Sequence, residues 1–295
     1  MAESGKSHPD WVKVRYKQSC VIDDVESFLS EHRVNTVCSS ALCPNRGQCF
    51  NDQAMTFLLL GPRCTRLCRF CSVDKSPADP YTAFEKDAEN VLLAVSKFNL
   101  RYVTLTSPTR DDLPDGGASV FAELISRLKQ LENPPKVEAL IPDLLGNMDY
   151  LQKVLDSKPD VIAHNLETVE RLYYRTRVGS DWEKSISILK HSRNHGKAIT
   201  KSAFIVGLGE TDDELLDAMC VAFEAGCEIM IIGQYLRPTK SQMEVERYVT
   251  PDQFSMYERK GEKIGFQVVM AGPLYRSSYK AEEAFNKAIG LRNVR

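Results

Sequence analysis

The stretch from Thr56 to Cys71 reads TFLLLGPRCTRLCRFC. A short apolar run of strand character ends in Gly61-Pro62, and three cysteines follow at once. Working outward, runs of the same texture recur: RYVTLTS (101–107), KVEALI (136–141), DVIAHN (160–165), TKSAFIVGL (200–208), EIMIIGQ (228–234) and FQVVMAG (266–272). Amphipathic patterns at about 86–98, 118–131, 147–157, 166–175, 182–194, 211–225 and 251–263 separate them. Thr211 with Glu214 three residues on is a capping box, which sets a helix start. Strands that alternate with helices mean βα units and a parallel sheet, and apolar strands of this kind are buried on both faces. The repetition predicts an α/β fold, a full or partial (β/α) barrel in preference to an open sheet. Ligands then bind at the carboxyl ends of the strands, where the three cysteines stand.

The 295 residues suffice for one large domain or two ordinary ones. Thirty-eight basic residues against 40 acidic ones give a net charge of −2, so no basic surface calls for nucleic acid. No apolar run approaches the roughly 18 residues of a membrane helix. The N-terminus, MAESGKSHPDW, has no apolar core of a secretory signal, and a cytoplasmic, reducing setting is the expectation. Six of the nine cysteines fall between positions 38 and 71, and in such a setting clustered thiols point to metal before disulfides.

Cys64, Cys68 and Cys71 have the spacing C-x3-C-x2-C. Zinc sites usually pair two separate C-x2-C knuckles, and no second knuckle is present. A four-iron cubane wants one ligand for each iron, so three thiolates on one loop leave one corner open to a small chelating molecule such as S-adenosylmethionine. Cys38, Cys43 and Cys49, in CSSALCPNRGQC, form a second triplet at C-x4-C-x5-C, also one ligand short. Spacing alone leaves a zinc-bound or loosely structured extension open for this one.

The first triplet, with Phe70 just before its last cysteine, resembles the signature of the radical S-adenosylmethionine superfamily. Both triplets together, with RSSY (276–279), closely resemble the lipoyl synthases. The resemblance continues through PDWVKVR (9–15), RDDLPDGGA (110–118), VEALIPD (137–143), HNLETV (164–169), TKSAFIVGLGET (200–211), IIGQYLRPT (231–239) and RYVTP (247–251). It implies a partial (β/α)6-type TIM barrel over 55–272, an N-terminal iron–sulfur-binding extension over 1–54 and a short C-terminal closing segment over 273–295. It further implies two 4Fe-4S clusters, one on Cys64, Cys68 and Cys71, and one on Cys38, Cys43 and Cys49 with Ser278 as fourth ligand. The implied enzyme is a radical-type sulfurtransferase that inserts sulfur at C6 and C8 of an octanoyl chain. That chain is borne on a lysine of a lipoyl carrier protein, either a lipoyl domain or the glycine-cleavage H protein. Two S-adenosylmethionine molecules are used, and the auxiliary cluster is the sulfur source. A ferredoxin or flavodoxin as electron donor and an iron–sulfur carrier are the other implied partners.

Phe70, Glu138, Asn165, Arg177 and Lys201 are the candidate cofactor contacts, although a solvent-facing charge or a helix cap is the plainer reading of the polar ones. Cys20, Cys220 and Cys227 compete with Ser278 as fourth ligand. Packing is expected for Cys220 and Cys227, and also for His164. DGG (115–117) and GLGET (207–211) read as turns. Ser39 and Ser40 stand where the lipoyl synthases commonly have acidic residues, Arg69 stands for a proline and Ser72 for an aspartate. These departures touch no ligand. Arg63, Arg66 and Arg69 form a candidate basic rim for an acidic carrier. An electron carrier is the competing class, but a carrier needs complete clusters and no large barrel.

Overall fold

The computed structural model describes residues 9–12, 19–77, 80 and 83–292, so PDWVKVR beyond Val12 lies outside the described residues. The elements run α1 (Cys20–Glu31), α2 (Val37–Ser40), α3 (Arg46–Asn51), β1 (Thr56–Leu58), α4 (Phe84–Lys97), β2 (Tyr102–Thr106), α5 (Ala118–Lys129), β3 (Lys136–Leu140) and α6 (Met148–Asp156). They continue with β4 (Val161–Ala163), α7 (Tyr173–Thr176), α8 (Trp182–His195), β5 (Ile199–Val206), α9 (Asp212–Glu224), β6 (Ile229–Gln234), α10 (Pro251–Ile264), β7 (Val268–Gly272) and α11 (Ala281–Arg292).

All seven strands lie in one sheet in chain order, every neighbour parallel. Crossovers between parallel strands are right-handed, so strands that advance always in one direction put every connecting helix on the same face. The other face must then close on itself, which makes the sheet a partial barrel with β1 and β7 at its edges. Seven strands enclose the six crossovers that the sequence predicts.

The βα rhythm holds nearly throughout, and two elements differ for visible reasons. β1 stops at Leu58 because Leu60 and Gly61 take left-handed φ values of 65° and 82°, which turn the chain out of the sheet before the first cysteine. The helix expected over 166–175 begins late, with only a short 3-10 turn at Glu170–Leu172 before α7. Its first residues are drawn into the sheet instead. The Glu167 N–H donates to the Ala203 carbonyl, and its own carbonyl accepts from Ile205. The Thr211 capping box is present at the head of α9.

The N-terminal segment docks on the barrel's first edge. Thr36 bridges Phe57 in antiparallel fashion, and the Leu58 N–H donates to the Asn35 carbonyl at 2.9 Å. An edge strand that would otherwise be exposed is thereby covered. Ile22, Val25, Phe28 and Leu29 of α1 belong to the same buried cluster as Phe57, Leu59 and Val103.

Candidate active site between two cysteine triplets

The loop after β1 is fixed from three directions. The Cys64 N–H donates to the Asp74 carbonyl, Thr65 bonds the Thr109 carbonyl through both its N–H and its hydroxyl, and the Arg69 N–H donates to the Thr176 carbonyl. Arg66 is turned inward, its side chain only 11 % exposed. Its guanidinium clamps Asp111 and reaches both oxygens of Asp143 at 3.1 Å, tying the loop to the turns after β2 and β3. The basic rim expected of Arg63, Arg66 and Arg69 therefore loses its middle member to internal structure.

The N-terminal triplet is built differently. Cys38 lies in α2, capped by Thr36, and Cys49 in α3. Cys43 lies on the turn between them, its N–H on the Cys38 carbonyl at 3.1 Å. Asn45, almost wholly buried, donates from Nδ2 to the Leu274 carbonyl at 2.6 Å and thereby brings the C-terminal segment against this triplet. Gly233 on β6 makes room for that segment. A Cβ there would meet the Tyr275 carbonyl oxygen at 2.0 Å and Arg276 Nη1 at 3.1 Å. The Ser277 hydroxyl then donates to Asn165 Oδ1 at 2.9 Å, fastening the next residue, Ser278, beside the triplet.

Between the two triplets lies a cavity of about 390 Å³. Cys38, Cys43, Cys49 and Ser278 line one side, and Phe70 and Cys71 another. Leu140, Ala203, Ile205, Ile231 and Leu236 give it apolar walls. The loops of the two triplets also touch, since the Ser72 hydroxyl donates to the Ser40 carbonyl at 3.3 Å, joining two of the positions that depart from the lipoyl synthase pattern.

Within each triplet the thiols sense one another. Burial, with Cys43 adding to it, pushes the Cys38 thiol up to about 11, and burial raises Cys49 further in the same direction with both partners contributing. Burial likewise pushes Cys71 up to about 11 and raises Cys68, where the Arg177 charge opposes it. These thiols are neutral by themselves and become thiolates as metal displaces their protons. Among the described residues no three His, Cys, Asp or Glu side chains close on one point as a single ion requires. Three thiols around a space, with a serine hydroxyl beside one set, fit the larger cubane better than a zinc knuckle.

The structure brings some of the sequence-predicted cofactor contacts to the cavity and withholds others. Phe70 and Asn165 line it. Glu138 and Lys201 lie two residues before the cavity residues Leu140 and Ala203 on their strands, on the same face of the sheet, and they face each other. Lys201 Nζ is 2.7 Å from Glu138 Oε2 with side-chain exposures of 1 % and 0 %. Arg177 stands behind the wall and donates to the Asn165 carbonyl at 2.8 Å and the Leu166 carbonyl at 3.3 Å. His164 is packed as expected, its Nδ1 on the Ile141 carbonyl and its Nε2 on Ser185 Oγ. Cys227 is buried. Cys220, expected to pack, is exposed, as is Cys20, and neither lines the cavity.

Two residues on the wall escaped the sequence reading. Arg276 faces Cys43 and Glu167. Glu167 takes a left-handed φ of 68°, accepts from Asn165 Nδ2 at 2.9 Å, and has its carboxyl pushed upward by burial against the pull of Arg177. A strained acid at a cavity wall is a functional candidate. Its position in HNLETV was the only signal for it.

Comparison with known proteins places this geometry. The family model described as the Radical SAM superfamily matches residues 58–219. A lipoyl synthase of Caldanaerobacter subterraneus subsp. tengcongensis is 46 % identical over 96 % of this chain and 98 % of its own length. One of Pseudomonas fluorescens is 42 % identical over 93 % of this chain and 81 % of its own. In fold the chain is similar to methylornithine synthase, with a TM-score of 0.56 at 14 % identity over 84 % of this chain and 81 % of that one. With one cysteine triplet and Cys71 of the other lining one cavity, and relatives this similar over nearly the whole chain, the protein belongs to the lipoyl synthase family of radical S-adenosylmethionine enzymes.

Proposed function

We infer that the chain inserts two sulfur atoms, at C6 and C8, into an octanoyl group borne on a lysine of a lipoyl carrier protein. The cavity carries this reading, because Cys38, Cys43 and Cys49 line it together with Cys71 of the other triplet, and much of its remaining wall is aliphatic. Once bound, S-adenosylmethionine and the first cluster would supply hydrogen abstraction, and the auxiliary cluster would supply sulfur. Cys64, Cys68 and Cys71 hold the first group, and Cys38, Cys43, Cys49 and Ser278 the second. A serine oxygen is a harder donor than thiolate and suits an iron–sulfur corner less well, so that corner is the weakest. Leu140, Ala203, Ile205 and Ile231 bind the saturated chain and exclude water from its unactivated carbons. Asn165 and Glu167 stand where polar groups of the cofactor can be oriented, and Arg276 supplies positive charge beside Cys43. In this reading residues 1–54 carry the auxiliary site, 55–272 the radical site, and 273–295 close the auxiliary site. A low-potential reductant and an iron–sulfur carrier serve the cycle.

The test is anaerobic. Protein with about eight irons per chain, S-adenosylmethionine, reductant and an octanoylated peptide should yield 5′-deoxyadenosine and a lipoyl product by mass. Deoxyadenosine without thiolated product refutes the substrate. Ser278→Cys should retain iron but lose sulfur insertion, and unchanged insertion refutes the labile serine corner.

A further inference from the structure

The auxiliary ligand set can be reached from two sides. A second cavity, of about 290 Å³, lies between the starts of β1 and β2 and the first turn of α11. Cys38, Cys49, Ser278 and Tyr279 stand in the wall that both cavities share. Cys43, Cys71, Asn165 and Arg276 border only the first. The two spaces differ in chemistry. The first is largely aliphatic, whereas Asp52, Gln53, Arg101, Lys280, Glu282 and Glu283 all border the second. A saturated acyl chain gains by entering the first and not the second. For a hydrated ferrous ion the order reverses, since carboxylate and water oxygens suit it and an aliphatic wall strips its hydration without replacement.

We propose that the second cavity is the route by which ferrous ion leaves the site of Cys38, Cys43, Cys49 and Ser278, separate from the route of the substrate. The proposal rests on the four-ligand reading of that site. With the acyl chain and cofactor in the first cavity, an ion released at Ser278 meets substrate on one side and a polar space on the other. The rim of that space is jointed, because Lys280 holds a left-handed φ of 55° between Tyr279 and α11 and pairs with Glu283 at 3.3 Å. The release moves one ferrous ion, which takes up water in place of the ligands it leaves, and requires no electron transfer.

The test uses the full chain with Cys64→Ala, Cys68→Ala and Cys71→Ala, so that iron enters only the auxiliary site. Anaerobic bleaching of its visible absorbance by o-phenanthroline is timed. Ala54→Trp, at the exposed rim of the second cavity, slows bleaching about tenfold, and Leu236→Trp in the first cavity leaves it unchanged. Should Ala54→Trp fail to fold, Glu282→Lys slows the release by reversing a rim charge. An unchanged rate in the folded rim variant, or slowing confined to Leu236→Trp, overturns the proposal. A parent protein that takes up no iron overturns the four-ligand reading itself, and the proposal with it.

Discussion

Replacing Lys201 by methionine removes the ammonium from a carboxylate that has almost no access to water. Glu138 and Lys201 are fully buried, with Nζ at 2.9 and 2.7 Å from the two carboxylate oxygens. Breaking such a pair from one side costs about 3–5 kcal/mol, because the surviving charge stays buried without a partner. The Tyr102 hydroxyl also donates to Glu138 Oε2, at 2.7 Å, and survives the change, which places the loss at the lower end, about 3 kcal/mol. Adding Glu138→Gln removes the stranded charge and keeps the acceptor for Tyr102, so the double variant should lie within about 1 kcal/mol of the parent. In the Lys201→Met background Glu138→Gln therefore recovers about 2 kcal/mol. Urea unfolding of the metal-free protein, followed by circular dichroism with its slope held constant, measures all three values. A single variant as stable as the parent, or a double variant less stable than the single, refutes the account. The same proteins decide whether these residues touch the cofactor. A double variant that regains stability yet loses S-adenosylmethionine binding would show that they do.

Burial, followed by the nearby Arg177 charge, pushes His164 down to about 4. A His whose folded value lies below its unfolded value of about 6.5 is neutral when folded, so stability is full above that value and falls as pH drops from 6.5 toward 4. His164→Gln should flatten that part of the profile, and an unchanged slope assigns it elsewhere. Gly233→Ala forces the Tyr275 carbonyl away from β6, and iron content should drop from about eight toward about four per chain while deoxyadenosine formation persists; full iron would count against the packing argument. Ser277→Ala removes the 2.9 Å bond to Asn165. A loss of about 1 kcal/mol in loop order should lower lipoyl yield several-fold at constant deoxyadenosine, and parallel loss of both products would assign Ser277 to the radical site instead.

The fold was legible because the barrel repeats one unit, and each strand announced itself by an apolar run between turn residues. The capping box at Thr211 was equally plain, since it is written within four residues. Legibility failed where partners are distant in sequence. Glu138 and Lys201 look like cofactor contacts to any reading that ranks charges at strand ends, and only the folded chain, with Lys201 Nζ 2.7 Å from Glu138 Oε2 across β4, shows that they satisfy each other. Arg66 was read as surface charge for the same reason, its two aspartates lying 45 and 77 residues away. The helix expected over 166–175 was misplaced because hydrophobic spacing cannot register a backbone that pairs with a neighbouring strand. The two cysteine triplets stood out by their spacing, yet which of those cysteines line a cavity did not.

The bond between Asn45 and the Leu274 carbonyl spans 229 residues. On a ribosome adding about 5–20 residues per second, that interval lasts roughly 10–50 s. Throughout it Cys38, Cys43 and Cys49 already exist while Ser278, which lines the same cavity, does not. The growing chain therefore carries three reactive thiols through its own synthesis, and a chain interrupted before the end keeps a barrel mouth with no means of finishing the neighbouring site. On the four-ligand reading proposed above, completion of the polypeptide itself is a licence for metal loading.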